Sequence, residues 1–269
     1  MKKDEERFLF GKNWLTFLKH INKDRILEAE FSLKNMLGVK NLEGKTFLDV
    51  GCGSGLFSLA AHRLGAKVYS FDYDKDSVMA TKCLKDKFYP SSSEWKIEAG
   101  SVLDKKFLKK LDKFDFVYSW GVLHHTGDMY TAMNNISITL KRESYLYIAI
   151  YNKQPIFSKF WSSIKKNYNK SPQFLKKIFG FIFYIYFFVG LLSFDLLRLR
   201  DPFIRHKGKE RRGMNFYTDV IDWIGGWPFE VAMPEEILDF YFKRGLILEK
   251  MKTCGGKMGC NEFLFRKNN

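Results

Sequence analysis

The sequence predicts an α/β fold, a sheet of largely parallel strands flanked by helices, and three observations carry that prediction. Apolar runs of strand length end one after another in glycine or an acid and alternate with segments of helical periodicity, as successive βαβ units do. The first run, Phe47-Leu48-Asp49-Val50, breaks into the alternating glycines Gly51, Gly53 and Gly55 and is followed by an apolar stripe of Leu56, Phe57, Leu59, Ala60 and Leu64 that ends at Gly65. The C-terminus reads as a helix with Pro234 near its start and Gly245 at its stop, then two strands, 246 to 252 and 262 to 266, that make a closing hairpin.

The glycine-rich loop is where a ligand is expected. Glycines at alternate positions let the chain turn sharply out of a strand, bring bare backbone against a ligand and start a helix whose N-terminal amides face it. A dinucleotide fingerprint would place its third glycine at position 56, where Leu56 stands, and a phosphate loop would end in Gly-Lys-Ser/Thr, which is absent. Asp49, Gly51, Cys52, Gly53 and Gly55 are the candidate ligand contacts of this loop. The second strand, Lys67 to Asp72, ends in a carboxylate about 20 residues past the first glycine, where ribose hydroxyls would be met. Each hydroxyl donated to Asp72 would contribute about 1.5 to 3 kcal/mol. Tyr73 adjoins it, and Asp74, two residues on, falls in the expected loop. A third strand starting at Trp95 leads to a turn at Ser101 and Val102, and a fourth runs Phe114-Asp115-Phe116-Val117-Tyr118-Ser119-Trp120-Gly121 into Val122-Leu123-His124-His125.

The pattern D-V-G-x-G-x-G resembles motif I of the class I methyltransferases that use S-adenosylmethionine. The fourth element resembles the F-D-x-V-x-S-x-x-V-L-H-H stretch of small-molecule methyltransferases, including those acting on quinols. The resemblance covers residues 45 to 152 and returns at the C-terminus. It implies a Rossmann-like seven-stranded sheet with the last strand antiparallel and S-adenosyl-L-methionine as cofactor. It places the adenine near Ser101 and Val102, and the methionine moiety near Ser119, Trp120 and Gly121. Ser101 stands where an Asp is frequent in that family, so the usual contact to the adenine amine passes to backbone at 101 and 102 or to Asp104. The D/N-P-P-Y/F of DNA amino-methyltransferases is absent. Tyr151-Asn152 after the fifth strand replaces the Asp-Asn of metal-dependent catechol-type enzymes, so no metal is expected.

Four parts are expected: an N-terminal helical lid (1–44), a cofactor-binding core (45–152), a helical, aromatic insertion (153–233) and a C-terminal helix and hairpin completing the core (234–269). In the lid, Phe10 and Phe17 read as packing residues, while Asn13 and Trp14 are divided between packing and ligand contact. Within the insertion, residues 178 to 194 carry no charge. That is the lower limit of about 17 residues for a membrane-spanning helix. Strands of one sheet on both sides argue against spanning. A helical cap buried over the site is the expected reading, with peripheral membrane contact through 178–199 as the alternative.

Among 269 residues the formal net charge is +15, which draws anionic acceptors or a lipid surface. No nucleic-acid signature accompanies it, and the basic residues are dispersed. Four cysteines without C-x-x-C spacing read as a reducing, cytoplasmic compartment and no zinc site. The charged N-terminus lacks the apolar run of a signal peptide.

Methyl transfer from a sulfonium needs chiefly alignment of a nucleophile, which supplies about 7 to 11 kcal/mol. A hydroxyl acceptor also needs a base, for which His124 and His125 are the candidates, one of them expected to cap the strand end instead. Tyr151, Asn152, Arg211, Arg212, Tyr217 and Trp223 are the candidate acceptor contacts. The stretches FGKNW, DWIGGWPFEV and TCGGKMGCNEF look like those of bacterial methyltransferases encoded with surface-polysaccharide genes. That likeness implies a small, anionic polysaccharide precursor, methylated on a sugar hydroxyl or a phosphoramidate oxygen. A quinol hydroxyl is the alternative, and a catalytically idle, membrane-associated module the alternative of another class.

Overall fold

The computed structural model describes residues 7–198 and 216–268. Arg211 and Arg212, with the rest of the basic stretch 205–213, lie outside the described residues.

Strands β1 (Thr46–Val50), β2 (Lys67–Asp72), β3 (Trp95–Ala99), β4 (Phe114–Trp120) and β5 (Leu140–Tyr151) pair in parallel, and β6 (Leu246–Lys252) and β7 (Cys260–Lys267) close the sheet. The order is β3-β2-β1-β4-β5-β7-β6, with β7 antiparallel to both of its neighbours. The chain goes outward from β1 to β3 and then returns to the other side of β1 with β4. A crevice therefore opens beyond the carboxyl ends of β1 and β4, the switch point at which α/β sheets bind ligands.

Side-chain alternation supplies a core on each face of the sheet. Phe47 points into one, with Ile26, Leu33, Leu59 and Ala60 from the helices α2 (Lys23–Leu37) and α3 (Leu56–Arg63). Leu48 and Val50 point into the other, with Met133 and Ile136 of α6 (Met129–Ile136) and Ile237 and Tyr241 of α10 (Pro234–Phe242). The remaining core helices are α1 (Gly11–Phe17), α4 (Lys75–Phe88) and α5 (Lys105–Lys110). Local chemistry sets the ends. Asn22 caps α2 by accepting from Arg25 N–H at 3.0 Å, and α2 stops at left-handed Gly38. Glu236 reaches back to Met233 N–H at 2.8 Å to fix the start of α10.

Strand β5 starts at Leu140, five residues ahead of the apolar run that begins at Tyr145, because tertiary contacts override its polar beginning. Leu140 pairs with Phe114, and Lys141 Nζ donates to Asp115 at 2.8 Å. The Lys-Arg-Glu-Ser run has no strand-like apolar alternation to announce this.

The insertion comprises α7 (Pro155–Lys170), α8 (Gln173–Leu197) and α9 (Phe216–Gly225), packed around a small apolar core of Trp161, Tyr168 and Ile224. Lys165 is wholly buried there, its Nζ donating to the Trp223 carbonyl and lying 4.2 Å from the centre of the Trp223 ring. The apolar run expected as a buried cap forms most of α8, and here the expectation fails. Phe179, Phe183 and Phe187 pack inward near Trp161 and Tyr168, but the opposite side is open, with Phe181 62% and Ile182 56% exposed. The physical reason is that α7 and α9 can cover only one side of a single helix, and this helix is apolar nearly all round.

Phe263 is fully buried on β7, between β5 and β6. Phe263→Ala is expected to cost about 3 to 5 kcal/mol, read by chemical denaturation. Burial pulls the Lys165 ammonium down to about 7, opposed by the charge of Asp222. The folded state then binds fewer protons than the unfolded chain between that pH and the usual lysine range. This contribution to stability is therefore present at high pH and is lost as pH falls through about 7. Lys165→Met is expected to flatten the stability profile between pH 10 and 7; an unchanged slope would assign it elsewhere.

Candidate active site

The three alternating glycines after β1 all have left-handed backbone, φ +76° at Gly51, +54° at Gly53 and +79° at Gly55. A Cβ at Gly51 would lie 2.5 Å from Val122, and one at Gly55 would lie 2.8 Å from Thr81, so space as well as backbone conformation demands glycine. The amides of the loop mostly shape the loop itself. Gly51 and Cys52 N–H both donate to the Phe71 carbonyl, at 2.8 and 3.1 Å, and Gly55 N–H donates to the Cys52 carbonyl at 2.8 Å. Thr81 braces the turn from α4, donating its hydroxyl towards Gly53 O at 3.1 Å and Cys52 Sγ at 3.2 Å.

Gly53 N–H instead holds the acid at the end of β2, donating to Asp72 Oδ2 at 3.0 Å, while Asp74 N–H donates to Oδ1 at 2.9 Å. A carboxylate offers about four acceptor directions. Two are used, and two remain for a ligand diol. Burial raises the Asp72 carboxyl to about 6 against the pull of these two amides and of Arg7. Asp49 is raised further, to about 7, by burial, although the Ser58 hydroxyl bonds it. Ser58 in turn meets Ser70 at 2.7 Å, and Trp95 Nε1 donates to Ser70 at 2.9 Å, so a buried polar chain crosses β1, β2 and β3. Asp74 caps α4 and also accepts from Gly11 N–H at 2.6 Å, fastening the N-terminal helix beside the loop.

The cleft, about 720 Å³, is walled by Asp49, Gly51, Cys52, Gly53, Asp72, Tyr73, Ser101, Val102, Trp120 and Gly121 among the expected cofactor contacts. Gly55 shapes the loop from outside that wall. Ser119 is a correction: it is fully buried and donates its hydroxyl to the Val50 carbonyl at 3.1 Å. Strand alternation turns Ser119 away from the face that Tyr118 and Trp120 present. Asn135, which the sequence reading missed, reaches from α6 to the carbonyls of Val102 and Leu103 at 3.0 and 3.3 Å and fixes the turn after β3. A polar residue inside an apolar helical stripe was its signal.

Of the expected acceptor contacts Tyr151 and Trp223 line the cleft, joined by Arg7, Phe8, Phe10 and Trp14. Trp14 lies over the loop, with Nε1 3.0 Å from where a Gly53 Cβ would be. Four expectations need correction. His124 does not line the cleft: it is fully buried, and its Nδ1 accepts from Tyr151 N–H at 3.3 Å. His125 does line it, with Nδ1–H donating to the Pro228 carbonyl at 2.7 Å, which leaves Nε2 as the basic nitrogen. Burial, with the charges of Lys165 and Arg7, takes that imidazole down to about 3, far from the working range of a general base. Asn152 is tied to the β6–β7 hairpin, donating to Lys257 O in the loop and accepting from Asn261 Nδ2 of β7. Tyr217 packs beside Gly180 and Tyr184 of α8, away from the cleft.

Carboxylates outside the expected contacts also reach the cleft: Asp219 and Asp222 from α9, and Glu262 from β7. Asn13 donates to Asp222, and Tyr147 to Glu262. An acid within the apolar strand Phe263-Leu264-Phe265 was the available signal for Glu262. With Asp49, Asp72 and Asp74 these groups outnumber the cations Arg7 and Arg25 along the described wall. Among the described residues the cleft is therefore acidic, opposite in sign to the chain as a whole.

Asp72→Asn is expected to weaken S-adenosylhomocysteine about tenfold to 150-fold in calorimetric titration, the loss of one charge-assisted hydrogen bond. Because the hydroxyls bond the ionised acid, wild-type affinity should fall as pH drops below about 6, by at most roughly tenfold per unit, and the variant should show a shallower fall. Equal affinities for both proteins would move the ribose contact elsewhere.

The family profile described as "Methyltransferase domain" matches residues 41–201. A ubiquinone biosynthesis O-methyltransferase of Pelagibacter ubique is 32% identical over 114 residues, 42% of this chain and 45% of that protein, so the chain spans under half the length of this curated relative. Among solved structures, the magnesium protoporphyrin IX methyltransferase of Synechocystis PCC 6803 with bound S-adenosylhomocysteine superposes with TM-score 0.53 at 13% identity, covering 90% of this chain and 83% of that one. An S-adenosylmethionine-dependent methyltransferase structure from Listeria monocytogenes gives 0.54 at 14% identity, covering 90% and 100%. With the matched profile spanning more than half of the sequence and the loop, acid and sheet order in place, this chain belongs to the methyltransferase-domain family, the class I type that uses S-adenosylmethionine.

Proposed function

We propose that this protein is an O-methyltransferase whose acceptor presents an uncharged hydroxyl. The observation that carries the reading is the cleft itself: Asp72 held by the glycine loop at one end, and at the other an aromatic wall of Phe8, Phe10, Tyr151 and Trp223 carrying the carboxylates Asp219, Asp222 and Glu262. The residues fit the cofactor. Asp72 keeps two acceptor directions for the ribose diol, the positive-φ glycines leave no side chain in its way, and the carboxylates favour its positive charge. When bound, the cofactor supplies an activated methyl group on a sulfonium. The chain's part is to align the acceptor oxygen behind that methyl, exclude water with its aromatic wall and receive the hydroxyl proton. With His125 held neutral and weakly basic, the proton goes to a carboxylate. Asp222 is the one assigned here, fixed by Asn13 and set beside Trp223.

A quinol-type hydroxyl is the acceptor best supported, by the likeness of the core to a ubiquinone biosynthesis O-methyltransferase and by the exposed apolar face of α8. A sugar hydroxyl of a surface-polysaccharide precursor is the second reading, favoured because aromatic rings with carboxylates also suit a polyol. The described wall argues against a phosphoramidate oxygen.

Labelled methyl transfer from S-adenosylmethionine to short-tailed hydroxyquinols and to nucleotide-linked sugars tests this, and incorporation into neither panel would overturn the reading. Asp222→Asn, which keeps the shape and the Asn13 contact, should lower kcat by about 100-fold or more while leaving S-adenosylhomocysteine affinity within threefold. Unchanged kcat would remove Asp222 as the base.

A further inference from the structure

The outer side of the insertion is the largest feature of the molecule that the cleft does not explain. Along α8, Phe174, Ile178, Phe181, Ile182, Ile185 and Val189 follow one another at helical spacing, between 44% and 64% exposed, and Leu196 and Leu197 extend the surface. On α7, Ile156, Phe157 and Phe160 are bare in the same way, at 80%, 60% and 57%. Soluble monomers rarely leave apolar surface of this extent uncovered.

The charges around it select the occupant. Every exposed charged side chain from 155 to 198 is basic, namely Lys159, Lys166, Lys170, Lys177 and Arg198, and the sole acid in that range, Asp195, is buried. A second copy would set like charges against like, on chains that each carry a formal net charge of +15. A leaflet containing anionic phospholipid satisfies both parts of the surface: the aromatic and aliphatic side chains enter the headgroup and acyl boundary while the basic ring meets the phosphates. Helix α8 is long and apolar enough to cross a bilayer by length and composition, but its inner side is occupied by Trp161 of α7 and by Tyr217 and Ile221 of α9. Both ends of the insertion also return to one sheet, since β5 pairs with β4 and with β7. The helix therefore lies along the interface.

We infer that the α7 and α8 face docks the protein on an anionic membrane surface. The position of the cleft gives this a purpose. Phe157 of the exposed face lines a small recess with Trp161, Phe229 and Met258, and Tyr151 and Trp223 form the wall that this recess shares with the cleft. A docked molecule thus has its acceptor wall connected, through one layer of aromatic side chains, to the surface in contact with lipid. This second point rests on the proposed methyl transfer to a lipid-borne hydroxyl; the docking itself does not.

The test is flotation of the full chain with vesicles of phosphatidylcholine alone and of phosphatidylcholine with one quarter phosphatidylglycerol. Binding is expected to the second at low salt, reduced several-fold at high salt, and weak to the first. The variant Phe181→Ser/Ile185→Ser/Val189→Ser, outside the cleft, should lose at least tenfold in vesicle binding while its circular dichroism and S-adenosylhomocysteine affinity hold. Phe160→Ser on α7 checks the face independently with a smaller loss. Absence of vesicle binding by the wild type, or equal binding by the triple variant, would overturn the inference. So would a concentration-dependent dimer, seen by sedimentation, that the same triple variant dissolves. S-adenosylhomocysteine titration is run beside it, so that failure of the methyltransferase reading and failure of membrane docking are recorded separately.

Discussion

The hydrogen bond from Gly53 N–H to the Asp72 carboxylate is the contact on which the rest of the site depends. The β1 to β2 register sets Val50 opposite Phe71, so the first two amides past the strand both reach the Phe71 carbonyl and the chain must turn at once. Only left-handed glycines make that turn, and the third amide then meets the acid that ends β2. The same acid accepts from Asp74 N–H, and Asp74 starts α4 and anchors α1 through Gly11. Loop, second strand, following helix and N-terminal helix are thus held by two adjacent carboxylates. The low-dielectric surroundings that strengthen these bonds also raise the pKa of Asp72, which makes the acid responsive near neutral pH.

The charge of the whole chain and the charge of the cleft have opposite signs. A formal net charge of +15 describes the far field, set by many dispersed surface lysines, and is a sound guide to attraction toward an anionic surface. The cleft is governed by groups within a few ångströms of a ligand, and there the carboxylates of α9, β2 and β7 prevail among the described residues. A protein with this division presents basic surface outward and a negative pocket inward. The pocket favours a sulfonium ligand, and the exterior fits the membrane docking inferred above.

The histidine pair shows how a motif can be present in sequence and fill another role. His124 and His125 follow β4 in a single helical turn, and both rings bond backbone from distant segments, Tyr151 and Pro228. They join the end of β4 to β5 and to the segment after α9. Burial keeps the His125 imidazole neutral more readily than it makes it a base, which is why the proposed reaction assigns the proton to an acidic group across the cleft.

The sequence by itself determined the sheet and the cofactor end of the site. Strand alternation, three glycines at fixed spacing and an acid about 20 residues on are local patterns, each imposed by backbone geometry that no distant residue can change. Strands β2 and β6 were legible to the residue for that reason, and so were Asp72 and the loop. Tertiary structure decided what local pattern does not encode. Ser119 was lost to the far face by alternation about a strand whose orientation only packing fixes. Asp222 and Glu262 entered the cleft because an insertion helix and an antiparallel strand, distant in sequence from β1, end beside it. The apolar run of α8 read as buried, yet whether such a helix is covered depends on how many neighbours reach it. With α7 and α9 on one side alone, its other side stays open because no described segment of the chain packs against it.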